Sequence, residues 1–76
     1  MMNLTKKDKE LLKLSKLCQH WAEHNESHKE SFIKWLNIAK DRGLSDVVED
    51  LSSAVKTMDE CNKFLLSAKD RLDNTF

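Results

Sequence analysis

The chain has no proline and no tyrosine, and it has a single glycine, Gly43, among 76 residues. Without proline nothing in the sequence removes a helix hydrogen bond or forces a kink, and the lone glycine is the one strong punctuation mark. The two cysteines, Cys18 and Cys61, are too few for a disulfide framework. No apolar run approaches the ~18 residues that a membrane span needs, so no membrane partner is expected. Thirteen Lys+Arg balance thirteen Asp+Glu. That zero net charge lacks the electrostatic footprint of a general nucleic-acid binder. Also missing are His-Glu-x-x-His, the Glu-x-x-His pair of di-iron bundles, Cys-x-x-Cys, a glycine-rich phosphate loop and a nucleophile elbow. An enzyme is therefore not expected. The first residues, Met1 to Lys7, lead into alternating charges without an apolar signal core, so a cytoplasmic location with reduced thiols is expected.

What is present is rhythm. Apolar or inward-type residues recur in steps of three and four at Leu11, Leu14, Cys18, Trp21, Asn25, His28, Phe32, Trp35 and Ala39. They recur again at Val47, Leu51, Ala54, Met58, Cys61, Leu65, Ala68 and Leu72. This is a heptad pattern, and no two-residue alternation argues for strands, so the fold class is all-α in a single domain spanning residues 1–76. Thr5 with Asp8 forms a capping-box pattern for the first helix. Gly43 suits a left-handed C-terminal stop, Leu44 can fold back on the last turn, and Ser45 can cap the second helix. The expected architecture is a long antiparallel hairpin, with a helix over about 6–42, a turn at Gly43 and a helix over about 46–73. Paired positions should then have numbers that sum to about 87. Asn25 and the Ser27–Glu30 pair also offer N-cap chemistry, so a three-helix bundle with a break near Asn25 is the alternative.

A chain this short buries only about 60% of its unfolded surface. The hairpin also leaves Leu11 and Leu12 beyond the reach of the second helix. Phe32, Ile33, Trp35, Leu36, Ile38 and Ala39 span about 220° of the first helix, more than one neighbour covers. A homodimer forming a four-helix bundle, or a protein partner, would cover both. Charge is unevenly spread, with residues 1–19 at +3 and residues 44–62 at −4. A basic helix start could therefore meet an acidic second helix.

All three histidines fall in His20-Trp21-Ala22-Glu23-His24-Asn25-Glu26-Ser27-His28, one helical turn apart. Imidazole is the commonest transition-metal ligand, and an i, i+4 pair presents two nitrogens to one ion. His20 and His28 are two turns, ~11 Å, apart, so three imidazoles on one straight helix do not easily share an ion. The hairpin register places Cys61 near residue 26. A site of His24, His28 and Cys61, completed by Glu23, Glu60 or a second subunit's histidine and with His20 as auxiliary, would be rich in nitrogen and sulfur and suits zinc, nickel or copper better than magnesium or calcium. The plainer reading leaves His20, His24 and His28 as amphipathic edge residues, with Trp21, Trp35, Phe32 and Phe64 in the core.

The string His-Trp-x-Glu-His-Asn-Glu-x-His, followed by Phe32, Trp35 and Gly43-Leu44, resembles a small uncharacterised helical domain of anaerobic archaea and bacteria. Such domains sometimes occur alongside nickel-handling accessory proteins. The resemblance covers about residues 11–72, matches its histidines to His20, His24 and His28 and implies a metal there, nickel by association, without an activity to carry over; with the donor chemistry above, the expected ion is Ni(II) or Zn(II). Two functions stand: a non-enzymatic metal-binding helical module, and a purely structural oligomerisation or protein-interaction module without metal.

Overall fold

The computed structural model describes residues 6–75 and consists of two helices, α1 (Lys6–Asp41) and α2 (Ser45–Asp73), packed side by side as an antiparallel hairpin. The hairpin is a rod of 61 × 15 × 14 Å. Helix α1 runs through His24, Asn25 and His28 without interruption, so the three-helix alternative with a break near Asn25 is excluded. The cap-forming residues there compete for backbone only where tertiary packing rewards a bend, and α2 lies along that stretch of α1. Thr5 of the expected capping box lies outside the described residues.

The turn is as tight as two helices allow. Gly43 takes φ +72°, the left-handed conformation that a glycine adopts without strain. The Leu44 amide donates to the Ala39 carbonyl and the Gly43 amide to the Lys40 carbonyl, both at 3.1 Å, which is a Schellman stop. Because Leu44 is used in that stop, it also becomes the N-cap of α2, with no side-chain cap. Ser45 is already helical. The sequence reading that gave Ser45 the cap is thus corrected by one residue, and Asp46 in the first turn supplies the negative charge the helix end favours.

Inter-helix bonds fix the register. Ser15 donates to Asp73, Asn25 to Cys61 at 3.7 Å, and Lys29 to Asp59 at 2.6 Å, pairs whose numbers add to 86–88 as the turn position requires. The seam, however, is not the one the largest apolar residues suggest. The heptad positions of α1 that lose exposure along the contact are Leu11, Ser15, Cys18, Ala22, Asn25, Lys29, Phe32, Leu36 and Ala39, with Leu12, Leu17, Gln19 and Ile38 half-buried beside them. On α2 they are Val48, Leu51, Val55, Met58, Asn62, Leu65, Lys69 and Leu72, with Ala54 half-buried beside them. Every second position sits one residue later than expected: Ser15 rather than Leu14, Ala22 rather than Trp21, Lys29 rather than His28, Leu36 rather than Trp35. Small residues at Ser15, Cys18, Ala22 and Ala39, each 3–6% exposed, let the helix axes approach closely. Two tryptophans in the same seam would hold them apart.

The fully covered hydrophobic core among the described residues is only Cys18, Ala22 and Ala39. Trp21, Trp35 and Phe64, expected inside, are 42%, 57% and 75% exposed, while Phe32 is half-buried. Leu11 and Leu12, expected to lack any cover, are half-buried. None of the described helices is long and apolar enough to cross a membrane.

Candidate functional site

The hairpin has two unlike sides, and the inter-helix bonds show which is which. Ser15 and Lys29 form one edge of the α1 seam and reach Asp73 and Asp59 of α2. Lys29 also bridges Glu26 at 3.1 Å, Asn62 donates to Glu26 at 3.3 Å, and Lys69 pairs with Asp73. The Asp59 and Glu26 carboxylates raise the Lys29 pKa above the ordinary lysine value, chiefly through the Asp59 hydrogen bond. Lys69 and Ser15 lower that of Asp73, Lys69 contributing most. This side is a polar lattice that locks the two helices in register. Buried Asn62, 5% exposed, belongs to it and leaves its Oδ1 without a partner.

The other side begins at Asn25, which turns to Cys61. Next to Asn25 on α1 runs a second heptad series: Leu14, Leu17, Trp21, His24, His28, Ser31, Trp35 and Ile38. Leu17 and Ile38 are half-buried and the rest are exposed. Alongside it, α2 contributes Val47, Ala54, Cys61, Phe64 and Ala68, of which Val47 is 44% and Phe64 75% exposed. A helix carrying two interlocking apolar seams can pack on two neighbours, and α2 occupies only the one built of small residues.

The histidines sit on this apolar side. Their rings form a ladder along the α1 surface, with His20 stacked on His24 at a centroid distance of 6.3 Å. His24 meets His28 edge to face at 4.6 Å, and His28 stacks on Phe32 at 6.4 Å. The Nε2 atoms of His24 and His28 are 3.0 Å apart. Two imidazole nitrogens bound at about 2.0–2.1 Å to one ion, at angles between square and tetrahedral, are themselves about 2.9–3.4 Å apart. The pair therefore already has the bite of a chelate. At this distance a hydrogen bond between the rings requires one to carry an Nε2–H and the other a bare Nε2, that is, different tautomers.

The remaining sequence-derived ligands are not gathered with them. His20 turns its ring toward His24 as a stacking neighbour, and Cys61, an exposed free thiol, accepts from Asn25. Among the described residues, no group of three or more His, Cys, Asp or Glu side chains converges on one point. His28, read as an inward position, is exposed, because the seam position beside it belongs to Lys29, whose long stem reaches out to Asp59. Lys29, Asp59 and Asn62 went unnoticed in the sequence. The signal available was the spacing of Ser15, Cys18, Ala22 and Ala39, small residues that mark a close helix contact. Surface depressions lie at the turn, lined by Gly43 to Val47, and beside Phe64, away from the imidazoles.

The family described as Domain of unknown function (DUF8180) matches residues 14–72 of the chain. The chain belongs to this family. The matched span begins at Leu14, next to the Ser15–Asp73 bond that closes the open end of the hairpin, and ends at Leu72. It therefore takes in the turn, the paired length of both helices and all three histidines. No curated protein and no solved structure matches the chain.

Proposed function

We propose that this protein is a small non-enzymatic helical module that binds a divalent transition metal, nickel or zinc, through His24 and His28. The observation that carries the reading is the 3.0 Å separation of their Nε2 atoms on a continuous helix. Imidazole donors suit zinc, nickel and copper over the hard cations. The helix fixes both rings one turn apart, so little conformational freedom is lost on binding. His20 is an auxiliary at the outer end of the ladder. Titration of the full chain with Ni(II) and Zn(II) tests the reading. Saturable binding should weaken as acidity rises, because protons compete for the same nitrogens, and should vanish in the His24→Ala/His28→Ala double variant. Equal, weak uptake by both proteins would overturn it.

A second reading is favoured by a separate observation. The chain exposes 6235 Å². A compact monomer of 8.9 kDa exposes about 4,800 Å². The excess, with Trp21, Trp35 and Phe64 open on one side, supports a homodimer in which two hairpins form a four-helix bundle. On that reading the module serves assembly and needs no metal. A solution mass of two chains, unchanged by chelator, is the expected result, and a monomer at all concentrations would exclude it.

A further inference from the structure

The metal reading leaves the ion two ligands short, and the assembly reading leaves the histidines in the middle of the surface to be covered. We infer that both are met by one arrangement: a second copy of this chain docks antiparallel on the apolar side, and the His24–His28 pairs of the two copies together hold one ion on the two-fold axis. The inference rests on the metal reading above and adds its partner and stoichiometry.

Three observations select the second copy and its direction. The first is area. The surface in excess of a compact protein, about 1,400 Å² by the size scaling already used, exceeds the roughly 800 Å² per partner of a standard stable interface. The second is charge. The half of the hairpin nearer its open end, residues 1–26 and 61–76, carries a net +2, and the half nearer the turn, residues 27–60, carries −2. Antiparallel hairpins set each basic end against the other copy's acidic end, whereas parallel hairpins set like against like. The third is the fit of the unpartnered seam to itself. With the axis between His24 and His28, near the middle of α1 (Lys6–Asp41), the seam residues of α1 pair in reverse order. Leu17 then lies opposite Trp35 of the second copy and Trp21 opposite Ser31, each large side chain against a smaller one.

In that register His24 of one chain lies at the level of His28 of the second copy. Each pair already has the bite of a chelate, with its Nε2 atoms 3.0 Å apart. Two such pairs across the axis give four nitrogens, a complete set for zinc or, in planar form, for nickel or copper. Both flanking layers carry tryptophan, so water has poor access to the ion. Cys61, which sits across the hairpin from residue 26, falls on the same axis beside its own copy.

The test measures solution mass and metal content together on the full chain, using Zn(II) alone as the probe and Ni(II) as a second. The expected result is a dimer that saturates at one ion per two chains. Single variants His24→Ala and His28→Ala should each abolish that saturable uptake while remaining helical, since both side chains are exposed. One ion per chain on a monomer would overturn this inference and leave the His-pair reading intact. A dimer that takes up no metal would overturn both and leave the assembly reading standing. Direction is read from thiols. In the dimer, diamide accepts two electrons and two protons as the Cys61 thiols of the two chains form a disulfide, and Cys61→Ser abolishes the cross-link. Absence of that cross-link, or a cross-link through Leu44→Cys placed in the Cys61→Ser chain, would overturn the antiparallel register, because only parallel hairpins bring two turns together.

Discussion

Replacing Gly43 by alanine isolates the backbone contribution of the turn. Gly43 sits at φ +72°, and a Cβ built there meets nothing within 4 Å, so the substitution adds no clash with the rest of the protein. What it adds is the intrinsic cost of holding an L-residue in the left-handed region, about 1–2 kcal/mol. Against this, alanine loses less backbone freedom on folding than glycine, which returns about 0.4–1 kcal/mol. The net loss is about 0.5–1 kcal/mol. For 76 residues, an unfolding entropy of about 2.1 cal/mol/K per residue converts that loss to a melting point roughly 3–6 °C lower. The assay is thermal unfolding followed by circular dichroism at fixed protein concentration, with Gly43→Asn as the reference, since asparagine tolerates the left-handed region better than alanine. A melting point for Gly43→Ala at or above that of the parent would refute the argument. So would a loss as large for Gly43→Asn, which would place the cost in something other than φ.

Three further substitutions follow from the seam and its polar edge. Ala22→Leu, at a 3% exposed position where the helices lie close, should overpack the contact and lower the denaturant midpoint by the equivalent of about 1–3 kcal/mol; an unchanged midpoint would mean that the helices can separate freely there. Asn62→Leu should raise stability by about 1 kcal/mol or more, because it removes a buried carbonyl oxygen with no partner at the cost of one 3.3 Å bond to the exposed Glu26; a lower midpoint would show that this bond outweighs the orphaned oxygen. Asp73→Asn should destabilise the hairpin near pH 7 and progressively less as the pH is lowered below 3.8 toward 2. The folded state holds the Asp73 pKa below its ordinary 3.8, so its contribution is present above that value and is lost as pH falls through the lower folded value. Unfolding curves of parent and variant that stay equally far apart at both pH values would contradict the Lys69 and Ser15 contacts as the source.

The rhythm of three and four, the missing proline and the single glycine are local properties, and they sufficed for the helical class, the turn and the pairing register, while the cap chemistry at Asn25 and Ser27–Glu30 left the continuity of the first helix for packing to decide. They sufficed because helix propensity, heptad spacing and a left-handed stop act over a few residues each. The clustering of His20, His24 and His28 on one side of α1 was legible for the same reason, since one turn of helix fixes it. The facing of α1 was not legible. Its apolar arc is wide enough to hold two heptad seams one residue out of phase, and hydrophobicity alone favours the seam with Trp21 and Trp35. Only the packed pair of helices decided between them, by placing small Ser15, Cys18, Ala22 and Ala39 where the axes approach and joining Lys29 to Asp59 at the edge. That choice turned the tryptophans and histidines to the same open side and put Cys61 against Asn25 rather than beside the imidazoles. The sequence determined the helical class, the turn and the pairing register. The tertiary structure decided which face each residue occupies, because close packing depends on how two surfaces fit and no single helix carries that information.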